Sequence, residues 1–252
     1  MNTSFTIIMP VRIESEERLK NLESTLHWID CHGGNVIVLE ADKKRHLLNL
    51  EKSYKGIKYL FVRDENEIFH RTRYINTLLH HTQTDYVAVW DADIIIPFEQ
   101  IWNALEIIQS QQYTIVYPYD GTVIMLSPEQ TETFRRHFDF EQIDRLKLTP
   151  LLGRRSCGGL HIVNRAKYIS IGGENEKYIG WGPEDAERLR RTIIMGHGVC
   201  WLPYGTLYHL HHTRQMKQQA ASNPLLIQMR REFVRECSMN KEEMQNYIQT
   251  EM

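Results

Sequence analysis

Short apolar runs punctuate the first half of the chain, and between them lie longer stretches whose apolar residues recur at helical spacing. Phe5–Met9, Asn35–Leu39, Ile57–Val62, Tyr86–Trp90 and Tyr113–Tyr117 form the first set and read as strands. Glu16–Trp28, Lys43–Lys52, Ile68–His81 and Phe98–Gln109 form the second and read as helices, with Pro97 suited to a first helical turn. This alternation predicts an α/β fold, a mostly parallel sheet with helices on both faces. In such sheets ligands bind beyond the carboxyl ends of the strands, so those ends are where chemistry is to be sought.

The second half has a different texture. Gly158–Asn164 reads as a strand and Arg165–Ile169 as a short helix, followed by a glycine-rich loop from Gly172 to Gly182. Pro183 opens a helix that runs to about Met195, and Val199–Leu202 and Thr206–Leu210 read as short strands. Leu225–Cys237 reads as a helix after Pro224, and Asn240 with Glu243 forms a capping box for a last one. A glutamine-flecked stretch, Gln215–Gln219, is the nearest approach to low complexity, and no linker or internal repeat divides the 252 residues.

Composition narrows the function classes. A formal net charge of −2 gives no reason to expect nucleic acid or an anionic membrane as partner. The longest apolar stretches fall far short of the roughly 20 residues that span a bilayer, and Thr6-Ile7-Ile8-Met9 is too short for a signal-peptide core. Peripheral attachment to a membrane stays open. Cys31, Cys157, Cys200 and Cys237 are scattered without paired spacing, which reads as reduced thiols in a cytoplasmic protein.

Three clusters carry candidate chemistry. Asp91-Ala92-Asp93 sits between the apolar run Tyr86–Trp90 and Ile94-Ile95-Ile96, where carboxylates are costly to desolvate without a cation or hydrogen bonds. Hard oxygen ligands suit Mg²⁺ or Mn²⁺ carrying a diphosphate. By pattern alone, a metal site and a buried structural network are equal readings. Other acid–x–acid pairs, Glu14/Glu16, Glu40/Asp42, Glu65/Glu67 and Glu174/Glu176, read as solvated surface. Gly180-Trp181-Gly182-Pro183-Glu184-Asp185 presents an aromatic ring beside two carboxylates, a sugar-binding chemistry, yet acids in a first helical turn are also ordinary helix-start residues. Tyr208-His209-Leu210-His211-His212 offers imidazoles; on an ideal strand His209 and His211 share a face, and His212 joins His209 only where the strand breaks. The helical His-Glu-x-x-His pattern of a zinc hydrolase is absent.

Taken in order, Pro10-Val11-Arg12, Phe69-His70-Arg71, Asp91-Ala92-Asp93, Cys157-Gly158-Gly159, the Gly180–Asp185 segment and His212-Thr213-Arg214 resemble the motifs of inverting GT-A glycosyltransferases, in particular the β-1,4-galactosyltransferase group and related bacterial polysaccharide transferases. The resemblance covers nearly the whole chain. It implies one GT-A catalytic domain over 1–252, with a nucleotide-sugar half to about residue 120, an acceptor and metal half over about 150–215, and C-terminal helices over about 216–252.

Residue roles follow from the same resemblance. It implies nucleotide-sugar contacts from Pro10, Arg12, Glu40, Arg71, Asp91 and Gly159, with Arg12 and Arg71 on the UDP moiety and Asp91 nearer the sugar and ribose. Asp93 and His212 match metal ligands for Mn²⁺ (or Mg²⁺), and His209 stands where vertebrate members have methionine, which shifts the site toward nitrogen ligation. Trp181, Glu184 and Tyr178 fall at acceptor-contacting positions and Asp185 at that of the catalytic base. Pro183 replaces the family's usual glycine and stiffens the loop, and Ser156 falls where a bulky tyrosine limits room beside the donor sugar.

The implied reaction moves a Gal, GalNAc or GlcNAc-type sugar from a UDP-sugar to a saccharide acceptor, in polysaccharide or glycan synthesis. Two rivals stand beside it. A sugar nucleotidylyltransferase would need a glycine-rich loop after the first strand, and Pro10-Val11-Arg12-Ile13 has no glycine. A non-catalytic sugar-binding protein on the same fold would not need Asp93, Asp185 and His212 intact.

Overall fold

Every residue of β1 (Phe5–Val11) is buried, as expected of a strand covered on both faces, and the sheet extends to either side of it. The computed structural model describes residues 5–110, 112–143, 149–150, 155–213 and 222–252. Arg214 of the last motif and the Gln215–Gln219 stretch lie outside the described residues.

In chain order the remaining strands are β2 (Val36–Asp42), β3 (Ile57–Arg63), β4 (Tyr86–Trp90), β5 (Ile94–Ile95), β6 (Tyr113–Tyr117), β7 (Thr122–Met125), β8 (Thr149–Pro150), β9 (Leu160–Asn164), β10 (Gly198–Trp201) and β11 (Thr206–His209). The helices are α1 (Glu16–Asp30), α2 (Leu50–Ser53), α3 (Arg71–His81), α4 (Phe98–Ser110), α5 (Pro128–His137), α6 (Arg165–Ser170), α7 (Glu184–Ile194), α8 (Pro224–Cys237) and α9 (Lys241–Thr250).

A seven-stranded sheet has the order β10-β6-β9-β4-β1-β2-β3. Its pairs are parallel except that β9 runs antiparallel between β4 and β6. The mostly parallel α/β sheet expected from the apolar pattern is the one observed. After β3 the chain crosses over β1 to lay down β4, so strand addition changes direction between β1 and β4. A ligand crevice belongs at that switch point, at the ends marked by Val11 and Trp90. Beside it a four-stranded sheet, β5-β11-β7-β8, carries its own apolar cluster around Ile95, Phe134 and Tyr208.

Three local expectations are corrected. The helix expected over Lys43–Lys52 shrinks to Leu50–Ser53. The backbone N–H of Lys43 donates to Asp42, and those of His46 and Leu47 donate to Glu40, so carboxylates take the donors a helix would need. Conversely, α5 stands where no element was expected, held by a Ser127/Gln130 capping box and Pro128 at its start. The strand expected from Gly158 begins only at Leu160, because Gly159 adopts φ +80°, a left-handed turn that favours glycine. No helix among the described residues is long and apolar enough to cross a membrane.

Candidate functional site

The crevice between the ends of β1 and β4 is a cavity of about 530 Å³. Pro10, Arg12, Arg71, Asp91, Asp93, Gly159, Trp181, Glu184, Asp185, His209 and His212 all line it. Residues spread over most of the sequence thus meet in one place. Two predicted site residues do not reach it. Glu40 is fully buried, with its carboxylate occupied by the N–H groups of His46 and Leu47 and by the Tyr59 hydroxyl at 2.5 Å. Tyr178 is buried against Leu226 and Met229, and its hydroxyl donates to Glu236 at 3.1 Å.

Asp91 follows β4 directly. Its N–H donates to the Gly159 carbonyl (2.9 Å), and the Ile94 N–H donates back to the Asp91 carbonyl (3.1 Å), closing a tight turn. Buried Ile94, Ile95 and Ile96 anchor that turn. β5 then pairs with β11, opposing Ile94 to His209, and the Leu210 N–H donates to the Asp93 carbonyl at 2.8 Å. This register is what carries the distant histidines to Asp93.

Strand β11 ends at His209, and the break brings His212 rather than His211 to its side. Nε2 of His212 lies 3.2 Å from Asp93 Oδ2, and Nε2 of His209 lies 3.7 Å from Oδ1. Each Nδ1 faces a backbone carbonyl, that of Leu210 at 2.8 Å for His209 and that of Thr213 at 3.2 Å for His212. A carbonyl only accepts, so each Nδ1 carries a proton, and each Nε2 is the ring nitrogen turned toward Asp93. Ligand atoms of Asp93, His209 and His212 all fall within 4.8 Å of one another. Glu40, Asp42 and His46 form a second such group, but both of its carboxylates are already bonded to backbone N–H groups.

The two acids of the motif are driven apart. Burial alone would push the Asp93 carboxyl up, but His209, His212 and Arg18 outweigh it and hold Asp93 well below the ordinary carboxylate range. Burial pushes Asp91 up, aided by Asp93 and Asp185, against the pull of Arg71. Arg71 donates to Asp91 Oδ1 from Nε (3.0 Å) and Nη2 (2.5 Å), while its Nη1 is buried and makes no hydrogen bond among the described residues. Arg12 is fixed by Asp64, at 2.5 Å from Nη2, and by the Ala41 carbonyl.

On the other wall, Trp181 is 46% exposed, presented to solvent and cleft as its glycine neighbours suggest. Pro183 caps α7 without a side-chain bond, and Glu184 instead accepts from the Gly182 N–H at 3.0 Å. Burial and the adjacent Asp185 push the Glu184 carboxyl up to about 8. Asp185 Oδ1 accepts from Arg188 Nη2 at 2.7 Å, and its Oδ2 packs so closely on Gly158 that a Cβ there would lie 2.3 Å away. Arg188, Glu174, Asp64 and Arg18 were not foreseen as parts of this site. Only the spacing of Arg188 from Asp185, one helical turn, could have signalled its partner.

Residues 146–213 match the family model described as the N-terminal domain of galactosyltransferase. No curated protein matches the chain. Among solved structures, GalNAc-T7 with UDP, GalNAc and Mn²⁺ superposes with a TM-score of 0.59 at 13% identity, covering 84% of this chain. The chain has the GT-A fold of glycosyltransferases. The mannosyltransferase PcManGT from Pyrobaculum calidifontis, in complex with GDP-Man and Mn²⁺, gives 0.61 at 13% identity over 98% of this chain and 70% of its own. The catalytic domain of Drosophila β1,4-galactosyltransferase 7, in complex with xylobiose, gives 0.52 at 16% identity over 98% and 81%. This GT-A chain spans only 44% of the GalNAc-T7 structure.

Proposed function

We propose that this protein is a metal-dependent, inverting glycosyltransferase that moves a sugar from a UDP-sugar to a saccharide hydroxyl, acting as a single catalytic domain in the cytoplasm. One observation carries the reading: a carboxylate with two imidazoles, an unpartnered buried guanidinium nitrogen and a second anchored carboxylate share one cleft at the switch point of a GT-A sheet. Asp93, His209 and His212 offer a mixed oxygen and nitrogen donor set, which fits Mn²⁺ better than Mg²⁺. Such an ion, when bound, supplies positive charge to a diphosphate leaving group. The nucleotide-sugar and Mn²⁺ in the titles of the GalNAc-T7 and PcManGT structures support the same assignment.

In this reading Arg71 turns its free Nη1 toward the donor's phosphates. Trp181 gives its ring face to the acceptor sugar, and Glu184 holds one of its hydroxyls. The acceptor oxygen attacks the anomeric carbon, the bond from that carbon to the diphosphate breaks, and the acceptor's proton passes to Asp185. Attack opposite the leaving group inverts the anomeric centre. The loop around Gly180 and Gly182 keeps water from competing. Ser156 lines the cleft without bulk, leaving room for an N-acetyl group on the donor sugar.

UDP binding with and without Mn²⁺ tests the reading. Two unit charges about 4 Å apart repel by about 4 kcal/mol at an effective dielectric of 20, so UDP should bind at least about tenfold more tightly with the ion. Calorimetry on the wild type and on Asp93→Ala should show that gain and its loss. Equal UDP affinity in Mn²⁺ and in chelator would overturn the assignment.

A further inference from the structure

Arg188 lies one helical turn beyond Asp185 on α7, and no part of its side chain reaches solvent. Its guanidinium has three partners. Nε donates to Glu174 Oε1 at 2.9 Å, Nη2 to Asp185 Oδ1 at 2.7 Å, and Nη1 to the Cys157 carbonyl at 3.3 Å. Glu174 is itself buried and also accepts from the Tyr168 hydroxyl at 2.8 Å. One buried carboxylate is enough to neutralise one buried guanidinium, so charge balance does not require the arm that reaches Asp185. Of the three charged groups, Asp185 alone lines the cleft.

We propose that Arg188 is a positioning residue for sugar transfer. It clamps Oδ1 of Asp185, leaving Oδ2 as the oxygen that takes the acceptor's proton. The same guanidinium holds the Cys157 carbonyl, and the next two residues in the chain are the glycines of the donor side. Gly158 lies against Asp185 Oδ2, and the Gly159 carbonyl accepts from the Asp91 N–H. One buried cation thereby fixes the proton acceptor relative to the donor wall. The inference rests on the reading of Asp185 as the general base. A misplacement of about 1 Å in a catalytic group costs on the order of 10²-fold, which sets the scale of the effect.

The test is a double-mutant cycle on the full chain with UDP-sugar, acceptor and Mn²⁺. Arg188→Lys keeps the buried charge but loses the fork that spans two carboxylates. It should lower kcat by about 10–10²-fold while leaving donor KM and UDP affinity within a few-fold. On an Asp185→Asn background the same change should add nothing, because there is no proton acceptor left to position. Arg191→Lys is the control: Arg191 is equally buried on α7 and pairs with Glu187 at 2.6 Å, away from the cleft, so it should lower Tm but not kcat. Should Arg188→Lys not fold, the paired Arg188→Gln, Glu174→Gln variant removes both buried charges and must show the same split. A kcat within about threefold of wild type, or a loss that multiplies with that of Asp185→Asn, overturns the role of Arg188 alone. Near-wild-type transfer by Asp185→Asn itself overturns the base assignment and this inference with it.

Discussion

Replacing Asp185 with asparagine separates a catalytic role from a helix-start role, and the structure fixes what each predicts. Asparagine keeps the size of the side chain and an oxygen for Arg188 Nη2, but it cannot take a proton. Arg188 retains Glu174, and the Asp185 side chain is 34% exposed, so solvent already screens the pair that is lost. The stability cost is therefore about 1 kcal/mol or less, a shift of roughly 2–4 °C in Tm for a chain of this size. Transfer should instead fall by about 10²–10⁴-fold, the usual worth of a general base.

Glu187, two residues on, should behave in the opposite way. It is buried and receives Arg191 Nε at 2.6 Å and Nη2 at 3.2 Å. Glu187→Gln removes the carboxylate that neutralises that buried guanidinium and leaves it only neutral acceptors, the new amide oxygen and the carbonyls of Ile171 and Gly173. Breaking such a pair costs about 3 kcal/mol or more, roughly 6–12 °C in Tm, with the rate per folded molecule unchanged. The measurement is single-turnover transfer and UDP binding beside thermal melts for both variants. Asp185→Asn transferring within a few-fold of wild type refutes the assignment. The base would then have to be sought at Glu184, which burial keeps protonated near neutral pH and so makes a poor acceptor of protons.

Two further outcomes are expected. With Ser156 on the cleft wall, UDP-GalNAc or UDP-GlcNAc should compete effectively with UDP-Gal in a mixed-donor assay, and strict preference for UDP-Gal would contradict the argument from space. Burial, with Glu187 nearby, pushes the Glu236 carboxyl up to about 7. The folded state then holds a proton that the unfolded chain releases near 4.5, so this group's contribution to stability falls as pH rises from about 4.5 to about 7. Thermal melts of Glu236→Gln should lack that part of the decline, and parallel wild-type and variant curves between pH 5 and 8 would contradict it.

The sheet was legible because its signal is local. Buried parallel strands read as unbroken apolar runs, and β1, β2, β4 and β6 are such runs, buried almost throughout. Helix α5 was not, since Phe134 is the only large apolar side chain in Pro128–His137 and no helical period can form from one residue. Its capping residues, Ser127 and Gln130, were the readable sign. The choice among His209, His211 and His212 was also closed to sequence reasoning. It depends on where β11 ends, and that is set by pairing with β5, more than a hundred residues earlier in the chain.

The acid–x–acid pairs show why the rest was hidden. Glu65 and Glu67 are exposed, as the pattern suggests, but Glu40 and Glu174 are buried where surface was expected. Glu40 holds the backbone after β2, and Glu174 neutralises Arg188. Asp93 shares their spacing but faces imidazoles and a cleft. In each case the acid stands in the same acid–x–acid spacing and meets a different partner across space. A buried carboxylate must find a donor or a cation, and which one it finds decides whether it supports the fold or the chemistry. That partner comes from the topology, so the pattern could show where acids stand and not what they do.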